Sequence, residues 1–207
     1  MNHLQGSRDI VRKRSIRRLA HAAREAQEHK HEISRQIVDR LLDLPAYQNA
    51  QTVLFYVDVR AEVQTRHALP GALGGTKRIV VPWCNAHGEL ELFHLESMSE
   101  LDIGKYGILE PRAELRTRSA KAIEPQEPDL VLVPGVAFDR HGGRLGHGNA
   151  YYDKLLARAR ADAVLVGLAF ECQLFEEVPM QPNDVFMDMV VTEADVYVCS
   201  GRRRVER

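Results

Sequence analysis

Between an apolar run, Leu130–Val133, and a helix-like segment, Lys154–Arg160, the chain reads PGVAFDRHGGRLGHGNAYYD. This stretch, Pro134–Asp153, gathers Gly135, Gly142, Gly143, Gly146 and Gly148 with Arg140, Arg144 and the adjacent Tyr151 and Tyr152. A strand that runs into a glycine-rich loop and then a helix start is a favourable geometry for holding phosphates. Glycine lets the backbone approach an anion, and a helix N-terminus adds free N–H groups with a partial positive charge. Composition alone leaves a second reading open, a surface loop that only turns the chain.

The bulk numbers narrow the class. A length of 207 residues predicts one domain over 1–207 with enough chain to bury a sizeable core. A net charge of −1 argues against a nucleic-acid binder that works through bulk charge. No apolar stretch approaches the roughly 20 residues of a membrane helix. The opening segment, MNHLQGSRDIVRKRS, lacks the apolar core of a secretory signal. Cys84, Cys172 and Cys199 are widely spaced and form no CxxC pair, which points away from a disulfide framework or a zinc site. Buried or idle thiols in a reducing cytoplasm are the expectation.

Apolar residues from Ile16 to Leu42 recur at three- and four-residue steps, so 7–44 reads as one long helix or a bent pair. Ser7 is the expected cap, Asp9 lies in the first turn, and Pro45 ends the helix. Thr52–Val57, Arg78–Val81 and Leu90–Leu95 read as strands, and Gln64–Leu73 as a helix closed by Gly74 and Gly75. The polar segment Asp102–Glu127 reads as a long loop. Asp129–Val133, Ala163–Leu168, Met187–Val191 and Val196–Cys199 complete the strands, and the basic tail 201–207 reads as frayed. Strands alternating with helices predict an α/β fold, one sheet with helices on both faces. Ligands of such sheets sit at the carboxyl ends of strands, where the glycine loop lies.

These residues resemble the 5-formyltetrahydrofolate cyclo-ligase family, also called methenyltetrahydrofolate synthetases. The family signature is similar to Pro134-Gly135-Val136-Ala137-Phe138-Asp139, Gly142, Arg144-Leu145-Gly146, Gly148 and Tyr151-Tyr152-Asp153. Further matches follow in family order: Lys13-Arg14-Ser15-Ile16-Arg17, Phe55–Val59 followed by Glu62 and Thr65, Gly107-Ile108-Leu109-Glu110-Pro111, then Gln173, Pro179, Asp184 and Thr192-Glu193. The resemblance implies ATP-driven ring closure of 5-formyltetrahydrofolate to 5,10-methenyltetrahydrofolate, with release of ADP and phosphate. It implies ATP and Mg2+ as cofactors and a reduced folate as the small-molecule partner.

By the same resemblance, Lys13, Arg14, Ser15, Ile16 and Arg17 hold ATP, together with Arg144, Leu145, Gly146, His147, Gly148, Asn149, Ala150, Tyr151 and Tyr152. Arg144, Lys13 and Arg17 take the catalytic roles. Val57, Glu62 and 147–151 contact the folate. Asp153 and Asp184 hold the metal, with Asp188 in reserve. Blander readings stand beside these. Arg144 could form a surface salt bridge, Lys13 and Arg17 a solvated basic face, Glu62 an exposed strand end, and Asp153 a helix cap.

Two residues depart from the family pattern. Ala150 stands where the family has glycine, and alanine there costs about 1 kcal/mol or more if φ is positive. His147 replaces an aromatic or basic residue but keeps a flat ring and a donor. They motivate two alternatives: an ATP-dependent ligase or kinase acting on another amide or pterin, and a non-catalytic folate- or nucleotide-binding protein. A monomer or weak homodimer that binds neither nucleic acid nor membrane is expected.

Overall fold

The computed structural model describes residues 3–104 and 107–201. Helices α1 (His3–Ala26) and α2 (Lys30–Leu42) form the bent pair that the periodicity allows. The break falls at 27–29, where His29 takes a left-handed φ of 52°. Ser7 lies inside α1 and not at its cap, because the helix starts at His3. Along α2, Ser34, Ile37, Val38 and Leu41 are buried at three- and four-residue steps, the stripe that docks it. Pro45 opens a further short helix, α3 (Pro45–Asn49), where its fixed φ suits the first turn.

The strands are β1 (Thr52–Leu54), β2 (Arg78–Cys84), β3 (Leu90–Leu95), β4 (Leu101–Ile103), β5 (Leu109–Pro111), β6 (Ala122–Ile123), β7 (Leu130–Val133), β8 (Ala137–Asp139), β9 (Arg144–Leu145), β10 (Val164–Leu168), β11 (Leu174–Phe175), β12 (Met189–Val191) and β13 (Val196–Val198). The remaining α-helices are α4 (Leu69–Leu73), α5 (Ala113–Arg116) and α6 (Tyr151–Leu156). The 8-stranded sheet runs β13-β12-β10-β7-β1-β2-β3-β6. Its middle, from β12 to β2, is parallel, while β13, β3 and β6 pair antiparallel at the flanks.

Both faces of the sheet are covered, as expected for an α/β fold. All of Leu130–Val133 is buried, as a central parallel strand requires. On one face Val53, Phe55, Ile79 and Leu132 pack with Ile37 and Leu41 of α2 and Leu69 of α4. On the other, Leu54, Val80, Val131 and Val133 meet Leu155 and Leu156 of α6. A third cluster joins Ile16 and Ala20 of α1 to Val136, Ala137 and Leu145.

Three expectations are corrected. The helix expected over 64–73 forms only as α4, because the residues before it are tied into a loop. Thr65 donates its N–H to Asp58 Oδ1 at 2.9 Å and its hydroxyl to the Tyr56 carbonyl. Tyr56 in turn donates its hydroxyl to the Val63 carbonyl at 2.7 Å. The segment 102–127 is not one long loop: β4 pairs with β5, α5 follows, and β6 joins the edge of the sheet. Lys121 anchors it, with its buried ammonium between Glu96 and Glu100, each 2.5 Å away. The helix expected over 154–160 is α6, shorter and earlier. Of the basic tail, only Gly201 lies among the described residues.

The topology also places a crevice. β1 lies between β2 and β7, so the chain leaves β1 toward one side of the sheet and later returns on the other. Connections from the two neighbours diverge there, and the carboxyl ends of β1 and β7 are left open to a ligand.

Candidate active site

The crevice holds a cavity of about 410 Å³. Its walls come from segments far apart in sequence. Tyr56, Val57, Val59 and Glu62 follow β1, and Pro82, Trp83 and Cys84 end β2. Pro134 follows β7, the run 144–153 forms the floor, and Lys13 and Arg17 reach in from α1.

The glycine loop is built from the inside. Buried Asp139 accepts the N–H groups of His141 and Gly143 on Oδ1 and that of Val178 on Oδ2, each at 2.8 Å. Gly142 makes this turn possible. Its φ is 94°, and a Cβ there would lie 2.3 Å from the Met187 carbonyl oxygen. Gln173 donates from Nε2 to the carbonyls of Gly135 at 3.1 Å and Val136 at 2.9 Å, fixing where the chain leaves β7. The β8–β9 hairpin then aims Arg144 under the cavity.

Arg144 is buried, with its side chain 4% exposed. Its Nη2 donates to Asp153 Oδ1 at 2.6 Å and its Nη1 to the Pro134 carbonyl at 3.3 Å. Nε has no hydrogen-bond partner among the described residues. The guanidinium also sits 6.0 Å from the Tyr152 ring centre. Lys13 Nζ donates to Asp184 Oδ2 at 2.7 Å, an oxygen that also accepts the Gln181 N–H at 2.8 Å. Arg17 Nε donates to the Gly146 carbonyl at 2.9 Å.

Glu62 closes the opposite wall. It is buried, its Oε2 accepts the Val59 N–H at 3.1 Å, and its Oε1 lies 3.5 Å from His147 Nε2. Burial, reinforced by Glu62, pushes the phenols of Tyr56 and Tyr152 above the ordinary tyrosine range, so both stay protonated. Burial lowers the His21 imidazole, and the neighbouring arginines, Arg24 first and then Arg60 and Arg17, lower it further.

Chemically, one side of the cavity is suited to an anion. It offers the cations of Lys13, Arg17 and Arg144 and the glycine backbone at Gly146 and Gly148, where φ reaches 110° at Gly148. The other side is largely apolar, with Pro82, Trp83, Leu90, Ile108 and Leu109, and it carries the carboxylates of Glu62 and of Glu110, the latter paired with Arg116. Such a site fits a phosphorylated ligand beside a planar one that bears N–H donors.

A model of the 5-formyltetrahydrofolate cyclo-ligase family matches residues 8–193. The chain belongs to that family. A Schizosaccharomyces pombe protein given the same family name is 31% identical over 174 residues, spanning 77% of this chain and 83% of the relative. The 5-formyltetrahydrofolate cyclo-ligase of Escherichia coli K12 is 28% identical over 173 residues, spanning 82% of this chain and 93% of the relative. Among solved structures, a 5,10-methenyltetrahydrofolate synthetase from Aquifex aeolicus superposes with a TM-score of 0.78 at 30% identity, covering 94% of this chain and 96% of that one. The fold is also that of the Mycoplasma pneumoniae synthetase, with a TM-score of 0.68 at 21% identity.

The cavity of this cyclo-ligase family member brings together Lys13, Arg17, Val57, Glu62, every residue from Arg144 to Asp153, and Asp184. It does not include all of the first helix motif. Arg14 faces solvent, Ser15 does not line the cavity, and Ile16 is buried in the cluster with Val136 and Leu145. Asp188 is also elsewhere, with its Oδ2 accepting the Leu165 N–H at 2.8 Å between β10 and β12. Ala150 takes φ 54° and ψ 21°, so the departure from glycine falls on a left-handed residue.

Sequence reasoning missed Trp83, Gln181 and His21, whose ring centre is 5.4 Å from that of His147. Trp83 carried a signal as the chain's one tryptophan at the end of a strand. His21 stands one helical turn beyond Arg17, as Arg17 stands one turn beyond Lys13, and that spacing would have found it. Glu110 was read only as part of a motif. It lines the cavity and pairs with Arg116 at 3.0 Å, while the Arg116 guanidinium stacks 4.7 Å over the Trp83 ring.

Proposed function

We propose that this protein closes 5-formyltetrahydrofolate to 5,10-methenyltetrahydrofolate at the expense of ATP, releasing ADP and phosphate. The observation that carries the reading is the convergence of Lys13, Arg17 and buried Arg144 on one side of a cavity whose other side is largely apolar and carries Glu62.

A formamide oxygen is a poor leaving group, and phosphorylation makes it a good one. In the reaction proposed, the formyl oxygen attacks the γ-phosphorus and ADP departs. Nitrogen 10 of the folate attacks the activated carbon and gives up its proton to solvent, the carbon–oxygen bond breaks, and phosphate leaves with the oxygen. Such chemistry needs positioning and charge stabilisation more than covalent help from the protein. Arg144 is placed to meet charge as it develops, since its Nε is buried with a donor to spare. Lys13 and Arg17 steady the phosphates from α1. Glu62 accepts hydrogen bonds from the pterin N–H groups, and Trp83 and Ile108 shield the ring.

The residues present fit a magnesium ion carried mainly by phosphate and water. Asp153 and Asp184 are hard oxygen donors on the cavity wall, with side chains 22% and 18% exposed. The described residues hold no cluster of three or more His, Cys, Asp or Glu that would form an all-protein metal cage. When bound, the ion would neutralise phosphate charge. Each aspartate is meanwhile paired with a cation, Asp153 with Arg144 and Asp184 with Lys13, and these two would be the residues that hold the ion.

The test is the near-ultraviolet absorbance of the methenyl product with purified protein, ATP, magnesium and 5-formyltetrahydrofolate. A rise that needs all three is expected. A flat trace with nucleotide bound would move the reading to another amide substrate or to a binding role.

A further inference from the structure

His147 is the one side chain of the glycine loop that crosses the cavity to Glu62. Its Nε2 lies 3.5 Å from Glu62 Oε1, and its ring centre lies 5.4 Å from that of His21 on α1. The residue before it is fixed from the same helix, since Gly146 accepts Arg17 Nε at 2.9 Å. Gly148 follows it with a φ of 110°, and Arg17 reaches that residue too, 3.8 Å from where a Cβ would stand. The ring of His147 therefore hangs from the part of the loop that Arg17 holds and reaches the carboxylate on the opposite wall. Glu62 has little other freedom. It is buried, and its second oxygen is held by the Val59 N–H.

We propose that His147 couples the two halves of the cavity, so that ordering the glycine loop with nucleotide sets the Glu62 carboxylate for its ligand. The inference rests on the assignment of nucleotide to the loop and folate to Glu62. Coupling of this kind is reciprocal: whatever factor nucleotide adds to folate affinity, folate adds to nucleotide affinity. The charged and titratable groups around the contact are Arg17, His21 and Arg24 from α1, Arg60 from the neighbouring loop, and Tyr56 and Tyr152 from the walls. Beyond Tyr56 lies the Asp58 carboxylate, which is engaged by Thr65 and Arg66, so Glu62 is the carboxylate that His147 meets.

The experiment measures 5-formyltetrahydrofolate affinity by calorimetry, with and without a non-hydrolysable ATP analogue and magnesium. The readout is the ratio of the two dissociation constants. In the wild type the ratio is expected in the range of about 5- to 150-fold. His147→Ala brings it toward one, and His147→Gln, which keeps a side-chain donor, restores most of it. In a Glu62→Gln background the His147→Ala change should have no further effect on the ratio, because the two residues act as a pair. A merely structural role for His147 would lower both affinities and leave the ratio alone. A wild-type ratio of one, or a ratio unchanged by His147→Ala, overturns the coupling. Wild-type protein that binds nucleotide but no folate instead overturns the proposed reaction, and the inference falls with it.

Discussion

Arg144 Nη2 lies 2.6 Å from Asp153 Oδ1, and this pair occupies the floor of the cavity with the arginine almost wholly buried. The two residues are nine apart in sequence, joined by the glycine loop, so the pair also pins the loop at both ends. Arg144→Ala should lower kcat about 100- to 1000-fold, the usual loss when one preorganised donor is removed from developing charge. Asp153→Ala should cost about 3 kcal/mol in denaturant unfolding, since it leaves a buried cation without its partner. Asp153→Asn keeps an oxygen for Arg144, so its fold should hold while its magnesium requirement rises. Unfolding midpoints and magnesium titrations of turnover check the three together.

Ala150 pays for its left-handed backbone with no compensating side-chain cap on α6. Ala150→Gly should therefore stabilise the protein by about 1 kcal/mol, or roughly 2–4 °C in Tm for a chain of this size. A thermal melt reads this directly, and a lower Tm would mean that the alanine methyl is packed more usefully than its φ suggests.

The phenols of Tyr56 and Tyr152 titrate above the ordinary tyrosine value because burial, with Glu62 beside them, disfavours the phenolate. The folded state thus keeps protons that the unfolded state gives up. Stability from this source is complete below about pH 10 and falls as pH rises beyond it. Denaturant unfolding from neutral to alkaline pH should show the decline, and Tyr152→Phe should flatten it.

Arg116 ties the 109–116 segment to the cavity wall. It donates to the Pro111 carbonyl at 2.6 Å and to Glu110 at 3.0 Å, and it stacks on Trp83. Arg116→Ala should raise KM for the folate about tenfold, equivalent to about 1.4 kcal/mol of binding, with a smaller change in kcat. Steady-state kinetics in both substrates would separate this from a general loss of fold, which would affect ATP equally.

The sheet was legible because its strands announce themselves. Leu130–Val133 is continuous β-branched and leucine sequence, and Leu90–Leu95 alternates. The place of the glycine loop in the cavity was legible because its glycines and arginines stand together between a strand and a helix. The segment 102–127 was not, since β4, β5 and β6 are two- and three-residue strands held by side chains such as Lys121 and Arg116, which carry no periodic signal. The residues 64–66 were read as the start of a helix for a similar reason: Asp58 and Thr65 overrule local propensity through contacts seven residues apart. Ile16 shows the opposite limit. Its place in a basic motif suggested a ligand contact, yet an apolar residue between two cations on a helix turns to the core.

The contact between Lys13 and Asp184 spans 171 residues, and that of Arg17 with Gly146 spans 129. On the ribosome, α1 emerges early and waits for partners made near the other end of the chain. At about 5–20 residues per second the interval from Lys13 to Asp184 is roughly 10 to 30 s. Until then the basic face of α1 lacks the acid that it later engages, and the Gly146 carbonyl comes only shortly before it. No ligand can assist the first steps of folding by binding this cavity, because its walls are incomplete until Asp184 has been synthesised.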